Sequence, residues 1–390
     1  MSLPTGFTAA GIACGLKPSG KPDLGLLVSD RPAVAAGVFT TNRVQAAPIQ
    51  LTKRQIRRGS ARAIVVNAGN ANVCTGRAGL DDARAMVSTA ADALGIAPRE
   101  VLVASTGIIG VALPVDVACG GIPAAAAALT GDGLDDLARA IMTTDTAPKT
   151  ARADLDGGAS IVGVAKGAGM IAPEMATMLC FVATDAPVTR AVVRDALDRA
   201  THSSFNMITI DGCMSTNDCV LVLANGAAGG DPIERDDPRA ERFAEALSAV
   251  CTSLARQMVE DGEGATKVLT IEVRGATSHK EARTAAMRVA DSVLLRCAVH
   301  GADPNWGRVL AALGTAPIPF DPHVVDVWVA GEKLCERGAI GPGDRAAAAI
   351  AMKGREVAIG VDLHRGEASA TVLTNDLSAE YVRINSEYTT

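Results

Sequence analysis

Aromatic side chains are scarce in this sequence: 2 Trp, 2 Tyr and 6 Phe among 390 residues. That excludes a stacking platform for nucleic-acid bases, which needs several rings. Positive charge is not in excess either. The 37 Lys and Arg are outnumbered by 43 Asp and Glu, for a formal charge of −6, the wrong sign for a chain that follows a phosphate backbone. No uncharged run reaches the ~18 residues that span a bilayer. The first sixteen residues carry no charge, but they lack a basic leading segment and contain Pro4 and Gly6. They do not read as a secretory signal, and a cytoplasmic location is expected. Histidine is sparse at 5 residues, and no CxxC pair occurs among the 9 cysteines. Cys213 and Cys219 are the closest pair and have no neighbouring His. Neither a zinc site nor disulfides are expected, and the cysteines read as small apolar residues.

Small residues are abundant instead, with 39 Gly and many Ala, in a chain that is 48% hydrophobic and 21% charged. Such a chain is not disordered and can bury a large core. Short runs rich in β-branched residues read as strands: 24–28, 33–39, 63–67, 101–104, 160–164, 178–183, 219–224, 268–273, 324–329, 357–361 and 370–373. Segments 80–94, 134–142, 189–200, 239–260 and 280–295 read as helices. In 239–260, Phe243, Leu247, Val250, Leu254 and Met258 recur at helical spacing, one stripe turned to a sheet. The expected class is α/β. The segments 231–241 and 275–280 read as surface loops, and the second suggests a division into residues 1–275 and 276–390.

Chemistry concentrates in KGAGMIAPEMATMLC, Lys166–Cys180. Gly167, Gly169 and Pro173 break the chain just before an apolar strand, and Thr177 stands at its head. A phosphate loop would need its Lys after the glycines, and a dinucleotide fingerprint would need GxGxxG between strand and helix; neither holds. Two readings stay open on spacing. One is a glycine-rich loop entering a buried strand, with Thr177 an ordinary β-branched residue. The other is a latent nucleophile: the Thr177 hydroxyl attacks the preceding carbonyl, the chain is cut, and the freed amine then serves as base for its own hydroxyl.

The string KGAGMIAPEMATML resembles the self-cleavage motif of the ornithine acetyltransferase family. NAGNANVCTG (Asn67–Gly76), STGIIG (Ser105–Gly110), IMTTDTAPK (Ile141–Lys149), STNDCVLVLANG (Ser215–Gly226), DGEGATK (Asp261–Lys267), HGADPNWGRV (His300–Val309) and YVRINSEYTT (Tyr381–Thr390) resemble further family motifs, in the family's order. The chain departs from the family at Glu174, where Asn is common, and at Cys213 and Met214, where polar residues are usual.

The resemblance implies a cut between Ala176 and Thr177, with Thr177 as nucleophile and Thr106 and Gly107 as the oxyanion hole. It implies that Thr143, Lys166, Thr177, Glu263, Asn385 and Thr390 bind substrate. Glu260 and Asp261 read as solvated turn carboxylates, and His300, Asp303 and Asn305 as parts of a turn over Trp306. The implied activity is transfer of acetyl from N2-acetyl-L-ornithine to L-glutamate in arginine biosynthesis, through an acetyl-enzyme. No metal or bound cofactor is implied, and acetyl-CoA is a second donor in bifunctional members. The implied fold is a four-layer α/β/β/α sandwich of the N-terminal nucleophile type with different connectivity, plus a C-terminal α/β domain. The implied assembly is an α2β2 heterotetramer of cut chains. The competing reading from the same fold is an N-terminal nucleophile aminopeptidase or amidase, which would give its acyl group to water. The plainest competitor is a non-catalytic protein.

Overall fold

The computed structural model describes residues 1–172 and 178–387. Thr177, Ala176, Glu174 and Thr390, four of the positions singled out in the sequence, lie outside the described residues. The first sheet holds β1 (Phe7–Ile12), β2 (Leu24–Phe39), β3 (Ser60–Asn70), β4 (Val101–Ile108), β5 (Lys149–Asp154), β6 (Ser160–Lys166), β7 (Leu179–Thr184) and β8 (Cys219–Ala224). Its order is β4-β3-β2-β8-β7-β6-β5, with β1 also on β2. The helices that accompany it are α1 (Ala47–Gln55), α2 (Gly76–Leu94), α3 (Val115–Ala127), α4 (Leu134–Ile141), α5 (Arg190–Ser203) and α6 (Pro238–Glu260).

The sheet is bent into two layers by β2. The sequence suggests two strands, 24–28 and 33–39, because the polar Ser29-Asp30-Arg31-Pro32 stretch interrupts the apolar pattern. The structure joins them into one strand whose pairing with β3 shifts between Val28 and Ala33. Proline donates no ladder bond, so such an irregularity is where a strand tolerates it. The first half of β2 pairs with β1, and the second half pairs with β8.

Strand periodicity then assigns each face. Leu27, Ile64 and Leu102 from one half meet Val164, Phe181 and Leu221 from the other in a central core, together with Leu137 and Ile141 of α4. Leu26, Val65 and Val103 face outward onto Met86 of α2 and Ile122 of α3. Ile161, Val182 and Val222 face the opposite way, onto Val193 and Leu197 of α5 and Leu247 and Leu254 of α6. The result is helix, sheet, sheet, helix. Both faces of these strands are buried, so their sequences read as continuous apolar runs. Each buried Leu or Phe stabilises by roughly 1.5–3 kcal/mol, which penalises any slip of register.

The second sheet holds β9 (Val268–Ala276), β10 (Asp326–Val329), β11 (Glu332–Glu336), β12 (Ala339–Ile340), β13 (Glu356–Asp362) and β14 (Ala368–Asn375), in the order β12-β11-β10-β13-β9-β14. Its helices are α7 (His279–Ala290), α8 (Val293–His300), α9 (Trp306–Leu313), α10 (Arg345–Ala351) and α11 (Ala379–Glu387). The chain passes from the first sheet to the second between α6 and β9, so β9 straddles the division expected at 275/276. The single helix expected over 280–295 is two helices. The Ser292 hydroxyl accepts from the Leu295 amide and starts α8 afresh. Of the DPNWG string expected as a turn, Asn305 caps α9 and Trp306 and Gly307 begin that helix, with Trp306 packed on the second core. Among the described residues no helix is long and apolar enough to cross a membrane.

Candidate active site

The ends of β4 and β6, the loop between α6 and β9 and the C-terminal helix α11 converge on one open cleft. Thr106 and Gly107 enter it from the end of β4. There the parallel pairing with β3 becomes irregular, and Asn70 lies opposite both Thr106 and Ile108. Gly107 sits at φ +133°, and a Cβ on it would stand 2.3 Å from the Gly69 carbonyl carbon. Only glycine fits that close approach. Asn217 fastens this end of β4 from below: its Nδ2 donates to the carbonyls of Ala71 (2.6 Å) and Ser105 (2.8 Å). Thr106 is therefore almost fully buried while still lining the cleft, on a strand whose backbone is held from two sides.

Lys166 ends β6, and its side chain is buried. Its Nζ donates to the Thr143 hydroxyl at 2.7 Å and lies 3.9 Å from the Asp145 carboxylate. Asp145 organises the whole corner. It accepts from the Thr143 amide at 3.0 Å, the Gly167 amide at 2.7 Å and the Lys149 ammonium at 2.7 Å. Burial works against its charge, yet the Lys166 and Lys149 cations and these donors hold its carboxyl well below the usual carboxylate range. Burial also lowers the Lys166 pKa; Asp145 opposes that shift and Lys149 adds to it. A buried lysine beside the cleft, with one hydroxyl and one carboxylate for company, is suited to a ligand carboxylate.

Glu263 enters from the loop between α6 and β9. Its amide donates to the Ala168 carbonyl at 2.8 Å, and its Oε2 accepts from Asn385 Nδ2 of α11 at 2.7 Å. A Cβ on Gly169 would lie 2.5 Å from the Glu263 carboxyl, so this glycine makes room for the carboxylate. Asp211 closes the same side, accepting from the Tyr381 hydroxyl at 3.1 Å.

Thr106, Gly107, Thr143, Lys166, Glu263 and Asn385, all read from the sequence as site residues, line this one cleft. Four cleft features escaped that reading: Asp211, Tyr381, and the Thr216–Asn217 pair. All lie in recognised motif strings or next to them, but nothing in their spacing marks a role. Asp261 corrects its assignment as a solvated turn carboxylate. It receives the Lys149 ammonium at 2.5 Å and both the amide and hydroxyl of Thr146, because α6 ends where β5 begins. Glu260 is held on the surface by Arg256. His300 pairs with Asp376 at 2.6 Å, and neither lines the cleft. Among the described residues no group of three His, Cys, Asp or Glu is placed to hold a metal ion.

Comparison with known proteins adds an independent line. Residues 8–390 match the model of the ArgJ family. The arginine biosynthesis bifunctional protein ArgJ of Symbiobacterium thermophilum is 51% identical, over all of this chain and 98% of its own. That of Geobacter sulfurreducens is 46% identical over 99% of each. The crystal structure of arginine biosynthesis bifunctional protein ArgJ from Bacillus halodurans superposes with a TM-score of 0.52 at 35% identity; it covers 53% of this chain and 98% of its own.

Proposed function

The chain belongs to the ArgJ family, and from that premise we propose how its cleft serves arginine biosynthesis as a glutamate N-acetyltransferase. The observation that carries the reading is convergence: an oxyanion-type strand end, a buried lysine and a carboxylate–amide pair face one cleft.

The chain cuts itself between Ala176 and Thr177. Two features of the fold support two fragments that stay together. β6, before the cut, pairs with β7, after it. β2, before the cut, pairs with β8, after it. Cut pairs then assemble as an α2β2 heterotetramer.

In the first half-reaction the Thr177 amine takes the proton of its own hydroxyl, and Oγ attacks the acetyl carbonyl of N2-acetylornithine. Thr106 and Gly107 donate to the oxyanion, where negative charge develops. The C–N bond breaks, the proton passes to the departing amine, and ornithine leaves an acetyl ester. In the second half the glutamate amine attacks that ester, and Thr177 recovers its proton. Lys166 with Thr143 binds the α-carboxylate common to both amino acids. Glu263, held by Asn385, binds the distal ammonium of ornithine, joined by Thr390. Acetyl-CoA acylates the same threonine where the bifunctional reaction runs. No bound cofactor takes part.

The test is intact-mass measurement of the purified chain combined with an acetyl-transfer assay. The expected result is two fragments, 1–176 and 177–390, lost in Thr177→Ala, with acetylornithine turnover that depends on glutamate. Turnover independent of glutamate would point to hydrolysis. An uncut wild-type chain with full transfer would overturn the mechanism.

A further inference from the structure

Tyr381 spans one end of the cleft. α11 brings its backbone in over the Glu263 loop: a Cβ on Gly264 would stand 2.5 Å from the Tyr381 amide nitrogen. The helix therefore lies against the residue that follows Glu263. The Ser378 hydroxyl donates to the Gly264 carbonyl at 2.6 Å and fixes the approach to the helix there. One turn further on, Asn385 Nδ2 donates to the Tyr381 carbonyl at 3.0 Å and to Glu263 at 2.7 Å. The Tyr381 hydroxyl reaches a second segment, where it donates to Asp211 Oδ2 at 3.1 Å. Tyr381, Glu263 and Asp211 all line the cleft. With its backbone on one loop and its hydroxyl on another, the tyrosine ring crosses from the Glu263 loop to Asp211.

The acceptor of that hydroxyl is itself fixed. Asp211 also accepts from the amides of Met170 (2.6 Å), Ile171 (2.9 Å) and Cys213 (3.1 Å). Met170 stands at φ +57°, a left-handed conformation that methionine seldom takes and that points both amides at one carboxylate. The segment is tied beside it as well: the Ile210 amide donates to the Ile171 carbonyl at 2.8 Å, and the Thr209 hydroxyl to Asp291 at 2.6 Å. A carboxylate that accepts from three amides and a phenol has little freedom to turn. Burial raises the Tyr381 pKa above its ordinary value, and the Asp211 and Glu263 charges add to the shift. The phenol thus stays a neutral donor at any working pH. The result is an uncharged aromatic wall, anchored at both ends, beside the carboxylate of Glu263.

We propose that Tyr381 is a specificity-determining residue: held by Asp211, its ring is the stop that limits the side-chain length of the acetylated diamino acid. This rests on the reading of Glu263 as the group that binds the distal ammonium. A side chain one methylene longer than ornithine must press that methylene against the ring or draw its ammonium away from Glu263. Either loses binding energy that ornithine keeps. Glutamate has no distal ammonium to deliver to Glu263, so the ring does not govern its binding. Tyr381 makes and breaks no bond; it reads length by contact.

The experiment compares wild type, Tyr381→Ala and Tyr381→Phe as full-length chains. It measures kcat/KM for N2-acetylornithine and for its longer homologue N2-acetyllysine, with glutamate as acceptor. Wild type should prefer acetylornithine by about tenfold or more, the scale of one methylene in a shaped site. Tyr381→Ala should shift that ratio toward acetyllysine by about tenfold or more, with the KM for glutamate within a few-fold. Tyr381→Phe keeps the ring and loses its bond to Asp211, so it should shift the ratio the same way by less. A tyrosine that only anchors α11 would lower kcat/KM for both donors alike. A ratio within twofold of wild type in Tyr381→Ala would therefore overturn the proposal, as would a wild type that uses both donors equally. If the Ala variant does not fold, Tyr381→Leu is read by the same ratio and the same criteria. A wild type without glutamate-dependent acetylornithine turnover, or a Glu263→Gln variant with unchanged KM for acetylornithine, would sink the underlying reading and this inference with it. Normal turnover with an unmoved ratio would sink this inference alone.

Discussion

The Lys149 ammonium stands 2.7 Å from Asp145 and 2.5 Å from Asp261, and the Lys149 and Asp145 side chains are both shut away from water. This buried pair supports the cleft without lining it. Asp145 in turn fixes the Thr143 and Gly167 amides, so the geometry of Lys166 with Thr143 depends on a charge that substrate does not touch. Removing one member of a buried pair leaves the other uncompensated, at about 3–5 kcal/mol. Asp145→Asn should therefore lower the melting temperature by several degrees and raise the KM for acetylornithine. A variant that melts with wild type would show that Lys149 finds sufficient compensation in Asp261 alone.

The same carboxylate predicts an acid limb of stability. Its pKa in the fold is held below the ordinary carboxylate value. Its contribution is thus fully present above the unfolded value, about 4, and is lost as pH falls below it towards the folded pKa. Urea midpoints of wild type and Asp145→Asn should differ most at neutral pH and converge as pH drops below about 4. A gap that stays constant through that range would assign the loss to packing rather than charge.

At the end of β4, the hydroxyl of Thr106 and the backbone of Gly107 are separable by substitution. Thr106→Val keeps the branched shape and removes the donor. It should lower kcat by 10²–10³-fold, the scale of a lost oxyanion donor, with KM little changed. Gly107→Ala meets backbone, with Gly69 carbonyl carbon at 2.3 Å and Asn70 nitrogen at 2.5 Å. It should therefore cost stability as well as rate. Steady-state kinetics with thermal melts distinguishes the two, and a Thr106→Val enzyme with wild-type kcat would remove that hydroxyl from the reaction.

Asn217 tests the same strand from behind. Its amide is the donor for two buried carbonyls, so Asn217→Ala leaves both without it, at roughly 1–3 kcal/mol for each. The prediction is a destabilised protein whose kcat falls because Thr106 is no longer held. Equal melting curves for the variant and wild type would show that the carbonyls find other donors.

The residues that the sequence made legible carry a local mark. Gly107 and Gly169 stand where a side chain would collide, and motif resemblance picked out Thr106, Thr143, Lys166, Glu263 and Asn385, which the fold gathers in one cleft. Most strands were visible too, because burial on both faces makes them short continuous apolar runs. What stayed hidden depends on distance along the chain. Asp261 reads as a turn carboxylate until α6 delivers it to Lys149, 112 residues away. Asp218 has no role in the sequence reading, and only the parallel register of β7 and β8 sets it beside Met178. The bend of β2 could not be read from Pro32 alone, since the same signal ends a strand elsewhere.

Glu263 and Asn385 act as one unit in the cleft, and their coupling is measurable. Glu263 Oε2 accepts from Asn385 Nδ2 at 2.7 Å, and α11, which carries Asn385, buries none of its residues. The helix is therefore held by few contacts, and Asn385 orders the carboxylate while the carboxylate orders Asn385. If Glu263 binds the distal ammonium of ornithine, Glu263→Gln removes a charged hydrogen bond of about 1.5–3 kcal/mol, and KM for acetylornithine should rise roughly tenfold to a hundredfold. Asn385→Ala should raise it less. Both should leave the KM for glutamate less affected, since that substrate has no distal ammonium. The double variant should resemble Glu263→Gln, because Asn385 works through a carboxylate that is already lost. Effects that multiply in the double variant would show Asn385 meeting substrate independently, in keeping with two separate contacts rather than one supported carboxylate.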